Sequence, residues 1–169
     1  MNPTSGPPVP ASPEPPRRST DDSVSPPSHP GRVAARLARV VENALAGVEL
    51  SLPQYRMLVF LDESGAAAAS ALAGRLGVSR PSVTALVDGL VARGWVTRAA
   101  DPADRRRVSH QVTQTGREVL ARADAAVESR LAELAAVIPT ADDRAAAYDG
   151  LGHWLAAMDT EREARLSQQ

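Results

Sequence analysis

The chain has 169 residues, three histidines and no cysteine, and its formal net charge is −1 at pH 7. This length suffices for one domain with a hydrophobic core. The lack of cysteine excludes disulfides and thiol-based redox sensing, and the wide spacing of His29, His110 and His153 predicts no metal site. No run of about 18 apolar residues occurs, so a membrane-spanning helix is not expected and the cytoplasm is the expected location.

The charge is unevenly distributed along the chain. Residues 70–117 hold eight arginines and three acidic residues, whereas residues 118–169 hold five arginines and ten acidic residues. A basic centre followed by an acidic C-terminal part is typical of a DNA-binding module joined to a part that does not touch DNA.

Residues 1–30 contain ten of the fourteen prolines and few large apolar residues. Such a segment cannot bury enough apolar surface to offset its ordering entropy, so a disordered tail is predicted there. It has no apolar central run and is therefore not a signal peptide. The folded domain is predicted over about residues 31–165.

The first half of this domain is predicted to be helical. Apolar residues at helical spacing indicate a first helix over about 32–49. Ser51 and Gln54 fit a capping box that opens a second helix, which runs to about Glu63. A third helix covers about 69–76, and Gly77 follows it in the position of a left-handed C-cap.

A fourth helix begins after Ser79, a good N-cap residue, and carries apolar residues at i, i+3, i+4, i+7 and i+8. Together with the third helix it forms a helix-turn-helix. Two short β-forming segments, residues 95–98 and 108–112, then flank a polar stretch with Pro102, which predicts a hairpin with a wing. The predicted fold class is therefore mainly α-helical, with a small β-hairpin wing.

Two long helices are predicted after the wing. Thr113 caps one, whose apolar seam of Leu120, Val127, Leu131, Leu134 and Ile138 admits Asp124 as a polar member. Pro139 ends it, and Thr140 caps the last helix, which has its own stripe of Tyr148, Leu151, Leu155 and Met158. The apolar faces exceed what one small DNA-binding module can cover, so we expect a homodimer. An intramolecular bundle is the alternative.

The fourth helix and the wing hold the candidate DNA contacts. Arg80 can bridge the acceptors of a guanine, hydroxyl groups can reach bases or phosphates, and the free N–H groups of the first turn favour a phosphate. The predicted contact residues are small, polar or basic: Ser79, Arg80, Pro81, Ser82, Thr84, Ala85, Arg105 and Arg106. Arg80 could instead be solvated, and Ser79 could serve only as a cap.

Three adjacent arginines at the wing tip repel one another unless acids or phosphates neutralise them. Asp88, Asp101 and Asp104 are the candidate acids. At least one wing arginine is expected in a structural ion pair, and the outermost, Arg105 or Arg106, is expected to enter the minor groove.

Several segments together resemble the MarR family of transcription regulators. They are Leu50–Tyr55, Leu72–Thr84, Leu86–Asp88, Arg93–Val96, Asp101–Arg106 and Val112–Arg117. The resemblance spans about residues 32–160. It implies a triangular homodimer of winged helices with a DNA-binding lobe at about 51–112 and dimerisation helices at about 32–49 and 113–162. It also implies that Asp88 pairs with Arg105 or Arg106 to brace the wing. Asp104, a local acid of the wing, is a further candidate for the bracing ion pair with Arg106.

The resemblance further implies repression of a promoter, relieved by a small and often anionic aromatic ligand. The helices that would line its pocket carry Arg36, Arg39, Asn43, Tyr55 and Arg56. The predicted function is therefore a dimeric, sequence-specific regulator that binds a pseudo-palindromic double-stranded DNA operator. A winged-helix protein-interaction module without DNA binding is the alternative. No nucleophile–base pair or phosphate-binding loop is found, so neither enzyme activity nor a cofactor is predicted.

Overall fold

The computed structural model describes residues 28–100 and 108–167. Within these ranges the helices are α1 (Pro30–Ala46), α2 (Leu52–Ser64), α3 (Ala69–Leu76), α4 (Arg80–Ala92), α5 (Gln114–Ala135) and α6 (Ala141–Leu166). The strands are β1 (Ala67–Ala68), β2 (Val96–Ala100) and β3 (Val108–Val112). The predicted fold class, mainly α with a small β-hairpin, is confirmed.

The helix boundaries follow the capping residues that the sequence indicated. The Ser51 hydroxyl accepts from the Gln54 backbone N–H at 3.4 Å, while Gln54 Oε1 accepts from the Ser51 N–H at 3.0 Å. Ser79, Thr113 and Thr140 cap α4, α5 and α6 in the same way, each hydroxyl accepting from the N–H three residues later. Gly77 ends α3 with φ +65°, a left-handed conformation that favours glycine.

Two helix boundaries differ from the prediction. The first helix spans residues 30–46 instead of about 32–49, because residues 47–50 form a tight turn in which Glu49 has φ +56°. The seam helix α5 ends at Ala135, so Ile138 lies beyond it in the connection to α6. Apolar residues at helical spacing continue past Ala46 and past Ala135, so periodicity predicted the C-terminal ends of both helices too far along the chain.

The sheet has three antiparallel strands in the order β1-β3-β2. The hairpin pairs Val96 with Val112 and Ala100 with Val108, so β2 is longer than the predicted segment 95–98. The two-residue strand β1, which pairs Ala67 with His110, was not predicted. Two alanines carry no strand signal of their own, and only the neighbouring β3 makes them a strand.

The core lies where α2, α3, α4 and the sheet meet, and it continues between α1 and α5. Its fully buried side chains include Leu45, Met57, Leu58, Leu61, Leu72, Val83, Val87, Leu90 and Val96. We call α2 to β3 the lobe, and α1 with α5 the stem. The helix α5 packs against α1 on one side and against α2 of the lobe on the other.

The last helix, α6, is exposed along its length. It contributes no side chain to the core among the described residues. The apolar stripe predicted for it is present but solvent-facing: Tyr148, Leu151, Leu155 and Met158 are 42–57% exposed. The neighbouring Trp154 is 67% exposed and enlarges this apolar surface. None of the helices in residues 28–100 and 108–167 has the length and apolar character needed to cross a bilayer.

Candidate nucleic-acid interface

The helix α4 has one buried face and one exposed face. Val83, Val87 and Leu90 are at most 1% exposed and fix the helix to the lobe. The opposite face presents Arg80, Pro81, Ser82, Thr84 and Ala85, all of which are exposed. Since these side chains are short except for Arg80, the backbone of α4 can lie close to base edges when the helix enters a major groove of DNA.

The hydroxyl groups at the start of α4 form hydrogen bonds within the helix. Ser79 Oγ accepts from the Ser82 N–H at 3.3 Å and lies 2.8 Å from Ser82 Oγ. Thr84 Oγ1 donates to the Arg80 carbonyl at 3.1 Å. Arg80 makes no ion pair with any described residue. Its guanidinium is therefore the group at this end of α4 best able to make new strong hydrogen bonds.

Gly89, four residues after Ala85, is not part of the exposed face of α4. In the structure it is half-buried, and a Cβ placed there would meet the side-chain Nε2 of Gln54 on α2 at 3.8 Å. The exposed face thus narrows toward the C-terminal half of α4.

Asp88 connects α4 to the wing through Arg98 on β2, with which it forms an ion pair. Arg98 was not among the predicted site residues. Strand alternation is the sequence signal that could have identified it, because this pattern places Arg98 on the same face of β2 as the buried Val96. The other predicted wing residues, Asp104, Arg105 and Arg106, lie outside the described residues, so their roles stay predictions.

A cleft of about 440 Å³ separates the start of α4 from the wing strands. Ser70, Thr84, Arg98 and His110 supply the polar groups of its lining, and the other lining residues are apolar. His110 is 5% exposed, and its Nδ1 donates to the Ala67 carbonyl at 3.1 Å. This hydrogen bond ties β3 to β1, so the histidine has a structural role at the base of the wing.

The residues predicted for an effector pocket lie on two helices and have different surroundings. Arg36, Arg39 and Asn43 are exposed on α1, where Arg39 Nη1 lies 3.6 Å from Glu42. Tyr55 donates to Asp124 on α5, and Arg56 donates to the Leu76 carbonyl at the end of α3 at 3.5 Å. Tyr55 and Arg56 thus contact different elements, and the effector pocket stays a prediction.

In the described part of the chain, no three histidine, aspartate or glutamate side chains are grouped so that they could hold a metal ion. The site's chemistry is therefore that of arginine, hydroxyl and backbone N–H groups. These groups donate hydrogen bonds to anions and to base edges, which is the requirement for nucleic-acid binding.

Sequence relatives support the same interpretation. A family model described as "MarR family" matches residues 48–107. An uncharacterized HTH-type transcriptional regulator of Mycobacterium bovis, Mb0904, is 35% identical over 103 residues, which cover 61% of this chain and 72% of that protein. The chain belongs to the MarR family. Membership in this family of transcription regulators agrees with the prediction that the protein is not an enzyme.

The chain spans about half the length of two further relatives from Bacillus subtilis. It covers 55% of the uncharacterized HTH-type regulator YpoP, with 35% identity, and 45% of the uncharacterized HTH-type regulator YfiV, with 32% identity.

Solved structures of MarR-family proteins share the fold. Wild-type apo MarR from E. coli superposes with a TM-score of 0.68 at 24% identity, covering 74% of this chain and 92% of that chain. CouR, a transcriptional repressor crystallised with a 23-mer DNA duplex, has a TM-score of 0.63 at 30% identity, covering 76% of this chain and 88% of that chain. The three-stranded winged helix is thus the MarR-family architecture.

Proposed function

We propose that this protein is a homodimeric transcription regulator that binds a pseudo-palindromic double-stranded DNA operator in the cytoplasm. The observation that carries the proposal is the exposed start of α4, where Arg80 has no ion-pair partner among the described residues and lies beside small side chains. The ion pair of Asp88 with Arg98 holds this helix beside the wing, so the two contact a duplex as a unit. CouR, at 30% identity, has been crystallised with DNA.

Dimerisation is supported by the exposed apolar stripe of α6. Large contiguous apolar surfaces on a folded protein mark interaction sites, and Trp154 alone is 67% exposed. A second copy offers a surface of the same character, and a two-fold axis would present two α4 helices to major grooves about one helical turn apart.

Regulation completes the proposal: binding represses a promoter, and a small anionic aromatic compound lowers operator affinity. This part rests on family resemblance and on the arginines exposed on α1. A thermal-shift screen with aromatic carboxylates checks it, because a ligand that binds the folded state raises the melting temperature. No stabilisation by any such compound would contradict ligand control while leaving DNA binding intact.

The DNA-binding experiment starts with selection of bound sequences from a random duplex pool. Fluorescence anisotropy then measures affinity for the selected site as a function of salt, which should weaken binding steeply. Arg80→Gln should lower affinity for that site by about tenfold or more, since one bidentate arginine–base contact discriminates by about 1–3 kcal/mol.

The matched control is Arg122→Gln, which removes one exposed arginine from α5. It should leave affinity for the selected site unchanged. Failure of the wild-type protein to enrich or bind any duplex in a salt-sensitive way would refute the proposed function.

The dimer is tested by sedimentation velocity of the full chain. Leu151→Glu and Leu155→Glu place a charge in the α6 stripe and should convert the dimer into a monomer, because an unpaired charge is poorly tolerated in an apolar interface. A wild-type protein that sediments as a monomer at micromolar concentration would contradict this part of the proposal.

A further inference from the structure

Two polar contacts join α2 of the lobe to α5 of the stem. The Tyr55 hydroxyl donates to Asp124 Oδ1 at 2.7 Å, and Arg117 Nε lies 3.3 Å from Asp62 Oδ1. The second contact lies seven residues later on α2, at 62 instead of 55, and seven residues earlier on α5, at 117 instead of 124. Because seven residues are close to two helical turns, both contacts lie along one line between two antiparallel helices.

These contacts link parts of the molecule with different partners. The helix α2 packs against α3, α4 and β3 through Met57, Leu58 and Leu61, so it moves with the DNA-contacting face. The helix α5 packs along α1. The line between α2 and α5 therefore determines how the lobe is oriented on the stem.

The first turn of α5 is anchored to the lobe independently. The Thr113 N–H donates to the Trp95 carbonyl at 3.0 Å, and Thr113 Oγ1 donates to the Gly94 carbonyl at 2.7 Å. Gly116 packs so closely that an added Cβ would overlap the Trp95 carbonyl. Asp124 lies eight residues beyond this anchor, or about 12 Å along the helix at 1.5 Å per residue. A shift of about 1 Å at that distance turns α5 by about 5° relative to the lobe.

The Tyr55–Asp124 hydrogen bond is suited to hold this angle. Both side chains are half-buried, so water competes for the bond less than at the surface. A bond from a neutral hydroxyl to a carboxylate is short and among the stronger kinds in proteins. It also explains why the apolar seam of α5 contains an aspartate.

We propose that Tyr55 and Asp124 are positioning residues that fix the angle between lobe and stem and so determine which half-site spacing the dimer accepts. This inference rests on the proposed function for its DNA readout. Two α4 helices on a two-fold axis must meet grooves about one turn apart. A lobe that can rotate on the stem would tolerate other spacings.

The DNA test uses the full chain and three duplexes: the selected operator, and the same operator with one base pair inserted or removed at its centre. Tyr55→Phe should reduce the preference for the selected spacing by about threefold or more, because the charged hydrogen bond is lost. Asp124→Asn should retain the preference, since the amide oxygen still accepts from the hydroxyl.

The control is Arg122→Gln, which alters an exposed side chain of α5 outside the Tyr55–Asp124 contact. It should behave as wild type on all three duplexes. An equal loss of affinity at all three spacings in Tyr55→Phe would mean that the hydroxyl only stabilises the fold, and the inference fails. It fails as well if Asp124→Asn behaves like Tyr55→Phe.

A measurement without DNA separates this inference from the proposed function. Because the chain has no cysteine, spin labels can be attached uniquely at Ser70→Cys on α3 and Ala132→Cys on α5, both exposed positions. With labelled chains diluted in unlabelled protein, Tyr55→Phe should broaden the distance distribution, while Asp124→Asn and Arg122→Gln should not. An unchanged width overturns the inference whatever the DNA result. Wild-type protein that binds no duplex overturns only the proposed function.

Discussion

Large apolar side chains are mostly buried in one region of this protein and exposed in another. Every core residue lies between Leu45 and Val127, and nine large side chains in that region are less than 2% exposed. The helix α6 has a comparable apolar stripe, yet its members are exposed by 42% or more.

The difference shows which contacts one chain can satisfy by itself. The lobe and stem pack on each other, so the apolar faces between them have partners within the chain, although Val33 on α1 and Leu134 on α5 stay 49% and 38% exposed. The remaining surface of α6 is charged, with ion pairs such as Arg165–Glu161 at 2.6 Å along the helix. Such surface pairs contribute little to stability. Most helices in proteins are stabilised by packing of an apolar face, and α6 has no such packing among the described residues.

The largest expected effect tests this contrast directly. Leu58→Ala, at a fully buried position, should lower the free energy of unfolding by about 3 kcal/mol through lost burial and a cavity. Leu155→Ala on α6 should lower it by less than about 1 kcal/mol in protein dilute enough to be monomeric. Urea denaturation measures both. Equal losses in the monomer would show that α6 packs within its own chain.

The second prediction concerns the junction between lobe and stem. Gly116→Ala should destabilise the protein by about 2 kcal/mol, because the new Cβ meets the Trp95 carbonyl and lies 2.8 Å from Val112 Cγ1. Gly150→Ala in α6, where nothing lies within 4 Å of the added carbon, is the control and should not lower the melting temperature. A tolerated alanine at position 116 would mean that the junction is looser than the structure indicates.

A smaller effect of opposite sign is expected at Gly89. Alanine is favoured over glycine inside a helix by about 1 kcal/mol, and the added carbon would make only an ordinary contact with Gln54 at 3.8 Å. Gly89→Ala should therefore raise the free energy of unfolding by about 0.5–1 kcal/mol. DNA affinity should not change, because this position faces α2. Weaker DNA binding by the variant would instead show that position 89 lies close to the DNA.

The smallest effect is a dependence of stability on pH. Burial raises the pKa of the Tyr55 hydroxyl above its ordinary value of 10.0, and the neighbouring carboxylates Asp124 and Glu128 raise it further. The folded protein therefore keeps this proton at a pH where the unfolded chain releases it. The stabilisation is complete below pH 10 and decreases as the pH rises above it.

Urea denaturation between about pH 9 and pH 11 detects this decrease. The free energy of unfolding should fall less steeply in Tyr55→Phe than in the wild-type protein, because phenylalanine has no proton to lose. Parallel slopes for the two proteins would indicate that the Tyr55 hydroxyl is not held by Asp124 in solution.

Prediction from sequence succeeded where the signal is local. The caps at Ser51, Ser79, Thr113 and Thr140 and the left-handed Gly77 depend on residues within about four positions. The exposed start of α4 was predicted for the same reason, since helical periodicity alone separates the apolar face from Arg80 and Ser82.

The features that the sequence missed join residues far apart in the chain. The strand β1 exists because β3 lies beside it, and Arg98 reaches Asp88 only once the wing has folded against α4. The Tyr55 hydroxyl donates to a carboxylate 69 residues away, a contact that the sequence did not indicate.

The sequence by itself therefore determined the helices, their caps, the winged helix-turn-helix and the basic centre, because these follow from short-range spacing and residue type. Only the tertiary structure decided which polar groups pair across elements, where Gly89 faces, and that α6 keeps its apolar stripe uncovered. The physical reason is that a side chain's partner is chosen by packing, which depends on the whole chain, whereas a helix needs only its nearest residues.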